Sequence, residues 1–244
     1  MILYARWLTL RNCGRFLHVA SDFGSNYHTH PFLSQEMLYA GLTREQTREP
    51  RQFADAFGDY DFYRDFRVKD LPLWFSVGML VDRTGKRLPK SRQVADVNQF
   101  NSIRESTPTT KLRGPVPTYG SIESILPDNR FKTLVVSPSK EYLLAFVYGQ
   151  TFWMGKKRTM FQITDESGQI ASGEQQRGDC LTPFVQVEPA TSTRFARMEV
   201  IAGTQRYVVM RGEIKNGDIY LFNFGGEEIG LPYFSLERFL EQIW

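Results

Sequence analysis

The sequence predicts a strand-dominated α+β fold with a basic excursion in its middle, on three observations. Short runs rich in β-branched and aromatic residues recur along most of the chain, as strands require. Apolar residues fall at helical spacing in two places, after Pro31 and at the C-terminus. Between residues 83 and 113 the chemistry turns to dense positive charge.

Taken in order, Ile2 to Leu10 reads as a strand ending at Arg11-Asn12, and Cys13 to Ala20 as a shorter extended piece. A helix follows in "HPFLSQEMLYAGL". Pro31 suits its first position, Thr29 or His30 its N-cap, and Gly41 the residue past its end, with Leu33, Met37 and Ala40 on one face. Residues 43–72 are polar, irregular and aromatic-rich, an inserted lobe or long connection. Leu73 to Val81 is a strand, as are Phe131–Val136, Tyr142–Tyr148, Thr159–Thr164, Arg197–Ile201, Tyr207–Ile214 and Ile219–Phe224. Asn216-Gly217 predicts a tight hairpin turn between the last two. The closing "YFSLERFLEQIW" reads as a helix capped by Ser235, with Phe239, Leu240 and Ile243 on or near one face.

Composition narrows the function classes. With 41% hydrophobic and 14% aromatic residues in 244, a packed core is within reach and wholesale disorder is excluded. The net charge of +3 is too mild to name a polyanionic partner, so the distribution of charge carries the argument. The 83–113 excursion holds eight basic residues, Arg83, Lys86, Arg87, Lys90, Arg92, Arg104, Lys111 and Arg113, against two acidic ones, a local surplus of six. The rest of the chain is therefore net acidic. An arm that tracks a phosphate backbone fits this pattern; a solvated loop is the competing reading. A second basic run, Gly155-Lys156-Lys157-Arg158, follows Phe152 and Trp153, which offer stacking faces beside the charge; three cations that blunt a strand edge are the alternative.

His28-Thr29-His30 supplies two ligands where a metal site takes three or four, so no metal is expected. General acid–base chemistry needs fewer groups, and His18, or His28 beside Tyr27, stands open as a base for RNA cleavage, though nothing marks a nucleophile. No phosphate-binding loop, dinucleotide fingerprint, Gly-x-Ser-x-Gly or paired-carboxylate pattern occurs, and no cofactor is expected. Cys13 and Cys180 match no metal or redox spacing and read as idle thiols of a reducing compartment. The N-terminus alternates instead of forming the apolar core of a signal peptide, and no membrane span is present, so a cytoplasmic location is expected.

The residues also carry a family likeness. The strand "LYARWLTL" followed by "FLHVASDFGSNYHTHPFLSQEMLYAGL" resembles the opening of the handle-capping RAMP-superfamily subunit of type I-D CRISPR Cascade effector complexes. The matching steps are Phe23-Gly24, Tyr27, His28-Thr29-His30-Pro31 and Leu38 to Leu42; "FVYGQTFWMGKKRTMFQI" and "CLTPFVQVEPAT" match more weakly. Two departures stand out: His28 and His30 where the family usually has acidic residues, and a longer region at 43–72.

The resemblance implies a single RAMP-type domain over 1–244. It would be RRM-like (ferredoxin-like), with a long β-hairpin thumb at 83–113 and a β-rich C-terminal part. It further implies a non-catalytic CRISPR RNA-binding subunit of an antiviral ribonucleoprotein complex. Such a subunit caps the 5′ handle of the guide RNA and contacts the large and backbone subunits, with target DNA near the protospacer-adjacent motif as a further candidate partner. The basic residues named above, with Tyr27, His28 and His30, are the expected RNA contacts. A metal-independent endoribonuclease acting on CRISPR repeat RNA remains the enzymatic alternative, and a protein-interaction module the third.

Overall fold

The structure, a computed structural model, describes residues 1–16, 19–23, 26–43, 71–88, 94–103, 117–154, 159–165, 167–203 and 207–243; at 19–28, 94–103 and 117–123 the description is of the backbone. In chain order the strands and helices are β1 (Ile2–Asn12), β2 (Val19–Phe23), β3 (Asn26–Thr29), β4 (Phe32–Leu33), α1 (Gln35–Leu42), β5 (Trp74–Phe75), β6 (Gly78–Val81), β7 (Val94–Ile103), β8 (Pro117–Ile125) and β9 (Arg130–Ser137). They continue with α2 (Lys140–Leu144), β10 (Thr151–Met154), β11 (Thr159–Ile163), β12 (Ile170–Leu181), β13 (Val185–Val187), a 3-10 turn (Pro189–Arg194), β14 (Arg197–Gly203), β15 (Val208–Phe224), β16 (Glu227–Pro232) and α3 (Tyr233–Ile243).

The fold is mostly antiparallel β with few helices. A large sheet runs β13-β15-β12-β1-β9-β6-β4, joined by β11 beside β1, β10 beside β11, β5 beside β9, and β14 and β16 beside β15. A second sheet runs β2-β3-β8-β7, with β3 and β8 parallel and the β7–β8 pair antiparallel over nearly its whole length.

β1 organises the large sheet because its two faces differ. Leu8 and Leu10 are fully buried, while Trp7, Thr9 and Arg11 are half-buried on the opposite face. Arg6 lies on the Leu8 face and donates to the carbonyls of Leu143 (3.0 Å) and Phe146 (2.8 Å), tying β1 to the end of α2. Tyr39 of α1 packs edge-on against Phe75, which in turn meets Phe146, so both helices cover this same face. Among the described residues no helix covers the opposite face of β1, β9 and β6, and that is where the polar residues of these strands collect. Four strands at the centre, β12-β1-β9-β6, arise from a strand-helix-strand-strand-helix-strand succession through α1 and α2.

Several elements differ from the sequence reading, each for a local reason. The first helix begins after Ser34, whose hydroxyl accepts from the Met37 amide at 3.3 Å, because Phe32 and Leu33 pair with Met79 and Gly78 instead of entering the helix. Thr29 and His30 are thus not its cap. Gly41 lies inside α1, where a Cβ would strike Met154 of β10, and Thr43 ends the helix by donating to the Tyr39 carbonyl at 2.7 Å. Leu73–Val81 is broken into β5 and β6 at Ser76, whose hydroxyl accepts from the Leu134 amide at 2.8 Å. Tyr142–Tyr148 is not a strand: Ser139 caps the short α2 through the Glu141 amide, at 3.3 Å. Cys13–Ala20 supplies one bridge, Phe16 to Ile125, before β2 begins. In the last helix Ser235 sits within the first turn and donates to the Pro232 carbonyl at 2.8 Å, two residues past the true start. The lobe expected at 43–72 falls almost wholly outside the described residues.

Candidate nucleic-acid interface

On the helix-free face, strand register assembles a row that distant sequence positions conceal. Gln162 of β11 lies opposite Arg11 of β1, Arg11 opposite Arg130 of β9, and Arg130 opposite Val81 of β6. Residues opposite one another across antiparallel strands share a face, so the two arginines stand side by side. The next row down places Thr9 opposite Lys132, and Lys132 opposite Met79. The turn after β6 then folds Arg83 back over this surface. The result is a polar cleft of about 440 Å³ lined by Arg11, Arg83, Arg130, Tyr148, Gln162 and Thr164, among others.

The turn is held by Asp82. Its carboxylate accepts from the Thr84 amide (2.8 Å), the Thr84 hydroxyl (2.6 Å) and the Lys86 amide (3.0 Å), and Gly85 supplies the positive φ of 84° that closes the loop. The Thr84 hydroxyl bond, above all, holds the Asp82 carboxyl below its usual range. The other acidic group in the cleft, Asp165, is taken up by Arg6 at 3.4 Å and by Ser167. Both carboxylates are thus committed to local structure. Among the arginines, Arg11 donates to Gln162 at 2.7 Å and stands 3.6 Å from the exposed Asp128. Arg83 and Arg130 have no carboxylate partner among the described residues. Lys132 rests its ammonium over the Trp7 ring, 4.4 Å from the centroid. A surface of this kind attracts a polyanion and offers guanidinium donors to its phosphates.

The expected site residues are distributed unevenly. Arg83 enters the cleft and Lys86 is exposed in the same turn. Arg87 turns away from it: its guanidinium is ion-paired with Glu199 and lies over the Phe184 ring, 4.8 Å from the centroid. Arg211 approaches the same carboxylate at 2.8 Å and the same ring at 5.2 Å, so Arg87 joins an internal network with the C-terminal strands. Lys90, Arg92, Arg104, Lys111, Arg113, Gly155, Lys156, Lys157 and Arg158 lie outside the described residues, as does His18. Tyr27 and His28 belong to β3, described by its backbone, and His30 stacks on Phe32 with centroids 4.6 Å apart. Of the two stacking candidates, Phe152 is in the core and Trp153 is 54% exposed.

Sequence reasoning missed Arg11, Arg130 and Lys132. The available signal was the alternation Arg130-x-Lys132 within a strand, which puts both cations on one face. Among the described residues no cluster of metal-ligating side chains occurs. Cys13 and Cys180 are free thiols, and burial pushes Cys180 up to about 11. Among the described residues no helix is long and apolar enough to cross a membrane.

No family model and no curated protein matches the chain. Among solved structures it is similar to a chain of the Type III-B Cmr-beta bound to cognate target RNA, with 6% identity and a TM-score of 0.44 over 88% of this chain and 86% of that one. The same assembly bound to cognate target RNA and AMPPnP, state 1, gives 6% identity and a TM-score of 0.43 over the same shares. A CRISPR protein from Archaeoglobus fulgidus gives 11% identity and a TM-score of 0.39, over 95% of this chain and all of the other. At identities and TM-scores this low, function has to be argued from this chain's own side chains.

Proposed function

We propose that this chain is a CRISPR-associated RNA-binding subunit that holds single-stranded RNA by its phosphates across the helix-free face of the large sheet. In finer terms, it caps the 5′ handle of the guide RNA in a type I-D interference complex and packs against the large and backbone subunits, without a chemical step of its own. The observation that carries the reading is the juxtaposition of Arg11, Arg130 and Arg83 in one cleft whose carboxylates are already engaged. Phosphate contacts of this kind fix register and orientation without reading sequence.

Two further features support the finer reading. With the interleaved strands set aside, the strand-helix-strand-strand-helix-strand succession and the spatial order β12-β1-β9-β6 support an RRM-like (ferredoxin-like) reading. β7 and β8 pair antiparallel, and the sequence between them, residues 104–116, holds Arg104, Lys111 and Arg113, which suits a basic thumb.

The test is equilibrium binding of single-stranded repeat RNA across a salt series. Each phosphate contact contributes about 0.7 to the log–log salt slope for a single strand, so replacing Arg11, Arg83 and Arg130 together by Gln should flatten it by about two units. An unchanged slope would overturn the assignment of this face. The RNA should remain full-length after prolonged incubation in EDTA; cleavage lost on replacing His18, His28 or His30 would establish the endoribonuclease instead.

A further inference from the structure

A second concavity adjoins the arginine cleft and has a different character. It is a groove of about 390 Å³ between the helix-free face of the sheet and the C-terminal strands, and it shares Val81 and Gly85 with the cleft. Trp7 and Lys132 lie on its sheet side, Phe184 and Leu181 on its C-terminal side, and Met79 and Ile229 complete the apolar walls. Its charges are segregated. Lys132, Arg87 and Arg211 stand beside its two aromatic rings, while Glu227 and Glu228 line it from the start of β16.

We propose that this groove receives one unpaired base of the RNA strand whose phosphates occupy the arginine cleft. The inference rests on the RNA-binding reading and adds to it a base-recognition site. Three features select the occupant. The size and the mix of apolar walls with a few polar groups suit a small planar ligand. Lys132 has no carboxylate partner among the described residues, so its ammonium can leave the Trp7 ring for a phosphate and expose the indole as a stacking face. The charge segregation orients the nucleotide: Arg87 and Arg211 are held by Glu199, which leaves Lys132 for phosphate, while Glu227, on the Ile229 face of β16, repels phosphate and offers its oxygens to an exocyclic amino group. Adenine, cytosine and guanine carry such a group and uracil does not, so the groove prefers an amino-bearing base.

The experiment uses the full chain and single-stranded repeat RNA in which one abasic nucleotide is walked along the strand. One position should cost about tenfold in affinity when abasic, the others little, and 2-aminopurine placed there should change its emission on binding. Leu181 is 57% exposed at the groove, so Leu181→Asp should remove that positional effect without unfolding the chain or altering the salt slope. Replacing Glu227 by Ala, which removes the acceptor, should abolish the preference over uracil. RNA that binds with its normal salt slope yet shows no sensitive position would overturn the groove and leave the phosphate interface standing. Absence of any RNA binding would overturn both. Leu181→Asp that releases a protein subunit while every RNA measurement is unchanged would assign the groove to a protein and also overturn it.

Discussion

Glu199 shows how one carboxylate diverts cations that composition alone would count as free. Its oxygens take Arg87 from the turn after β6 and Arg211 from β15, and both guanidiniums lie over Phe184. The bond from Arg87 is the largest influence holding the Glu199 carboxyl below its usual range. A carboxyl depressed in the folded state stabilises at and above the ordinary carboxylate range, and the contribution fades as pH falls through the folded value. Because these side chains are about 40% exposed, the pair is screened and contributes under about 1 kcal/mol. Glu199→Gln should therefore lower the thermal midpoint slightly at pH 7, and the difference from the unsubstituted chain should shrink progressively as the pH falls below the ordinary carboxylate range. A difference that does not change with pH would show that packing, not charge, was lost. The basic surplus of 83–113 was legible in the sequence, but Arg87's commitment was not, because its partner lies 112 residues away. Arg130 and Lys132 were overlooked for the opposite reason: two cations in a strand read as ordinary alternation until register sets Arg11 beside them.

At the level of elements, most strands could be read from β-branched and aromatic runs, while punctuation residues misled. Asn216-Gly217 promised a hairpin turn, yet β15 runs through it without reversing. The pairing with β12 slips instead, from Gly178 opposite Gly217 to Cys180 opposite Ile214, so Lys215 and Asn216 together face Asp179 and form a bulge in one long strand. Asn216 takes a positive φ of 48°, and Asp179 of the partner strand accepts from its amide at 2.7 Å. The left-handed conformation that makes Asn-Gly a turn former serves equally to bend a strand, and only the partner decides between them. Asn216→Val should cost about 1–2 kcal/mol in denaturant unfolding, whereas Asn216→Gly should stay within a few tenths. Equal effects of the two would mean that φ is not the constraint. The Tyr142 segment failed in the same way: its aromatic and aliphatic residues have strand propensity, but Ser139 caps a helix that Arg6 then ties to β1 through the Leu143 and Phe146 carbonyls. The caps of α1 and α3 moved because neighbouring strands claimed Phe32-Leu33 and released Tyr233.

Across the whole molecule, the proposed interface depends on the N-terminal strands and the C-terminal strands keeping their relative positions, since the groove has one wall from each. One buried cluster joins them, running from Leu3, Leu8 and Trp74 through Tyr220 and Phe222 to Leu236 and Phe239. A contiguous core predicts a single cooperative unfolding transition. Phe239 is fully buried on α3, and removing its ring leaves a cavity that costs about 3–5 kcal/mol. The tryptophans allow the consequence to be read at the far end of the chain. Trp7 and Trp74 belong to the N-terminal strands, so in a background with Trp153→Phe and Trp244→Phe the emission reports on that half. Phe239→Ala should lower the tryptophan-detected midpoint and the far-ultraviolet circular-dichroism midpoint by the same amount. A tryptophan midpoint that stays put while the dichroism transition splits would mean that the two walls are separate folding units. The groove between them would then be free to open and close, and its capacity to hold a base would depend on what else the two halves are bound to.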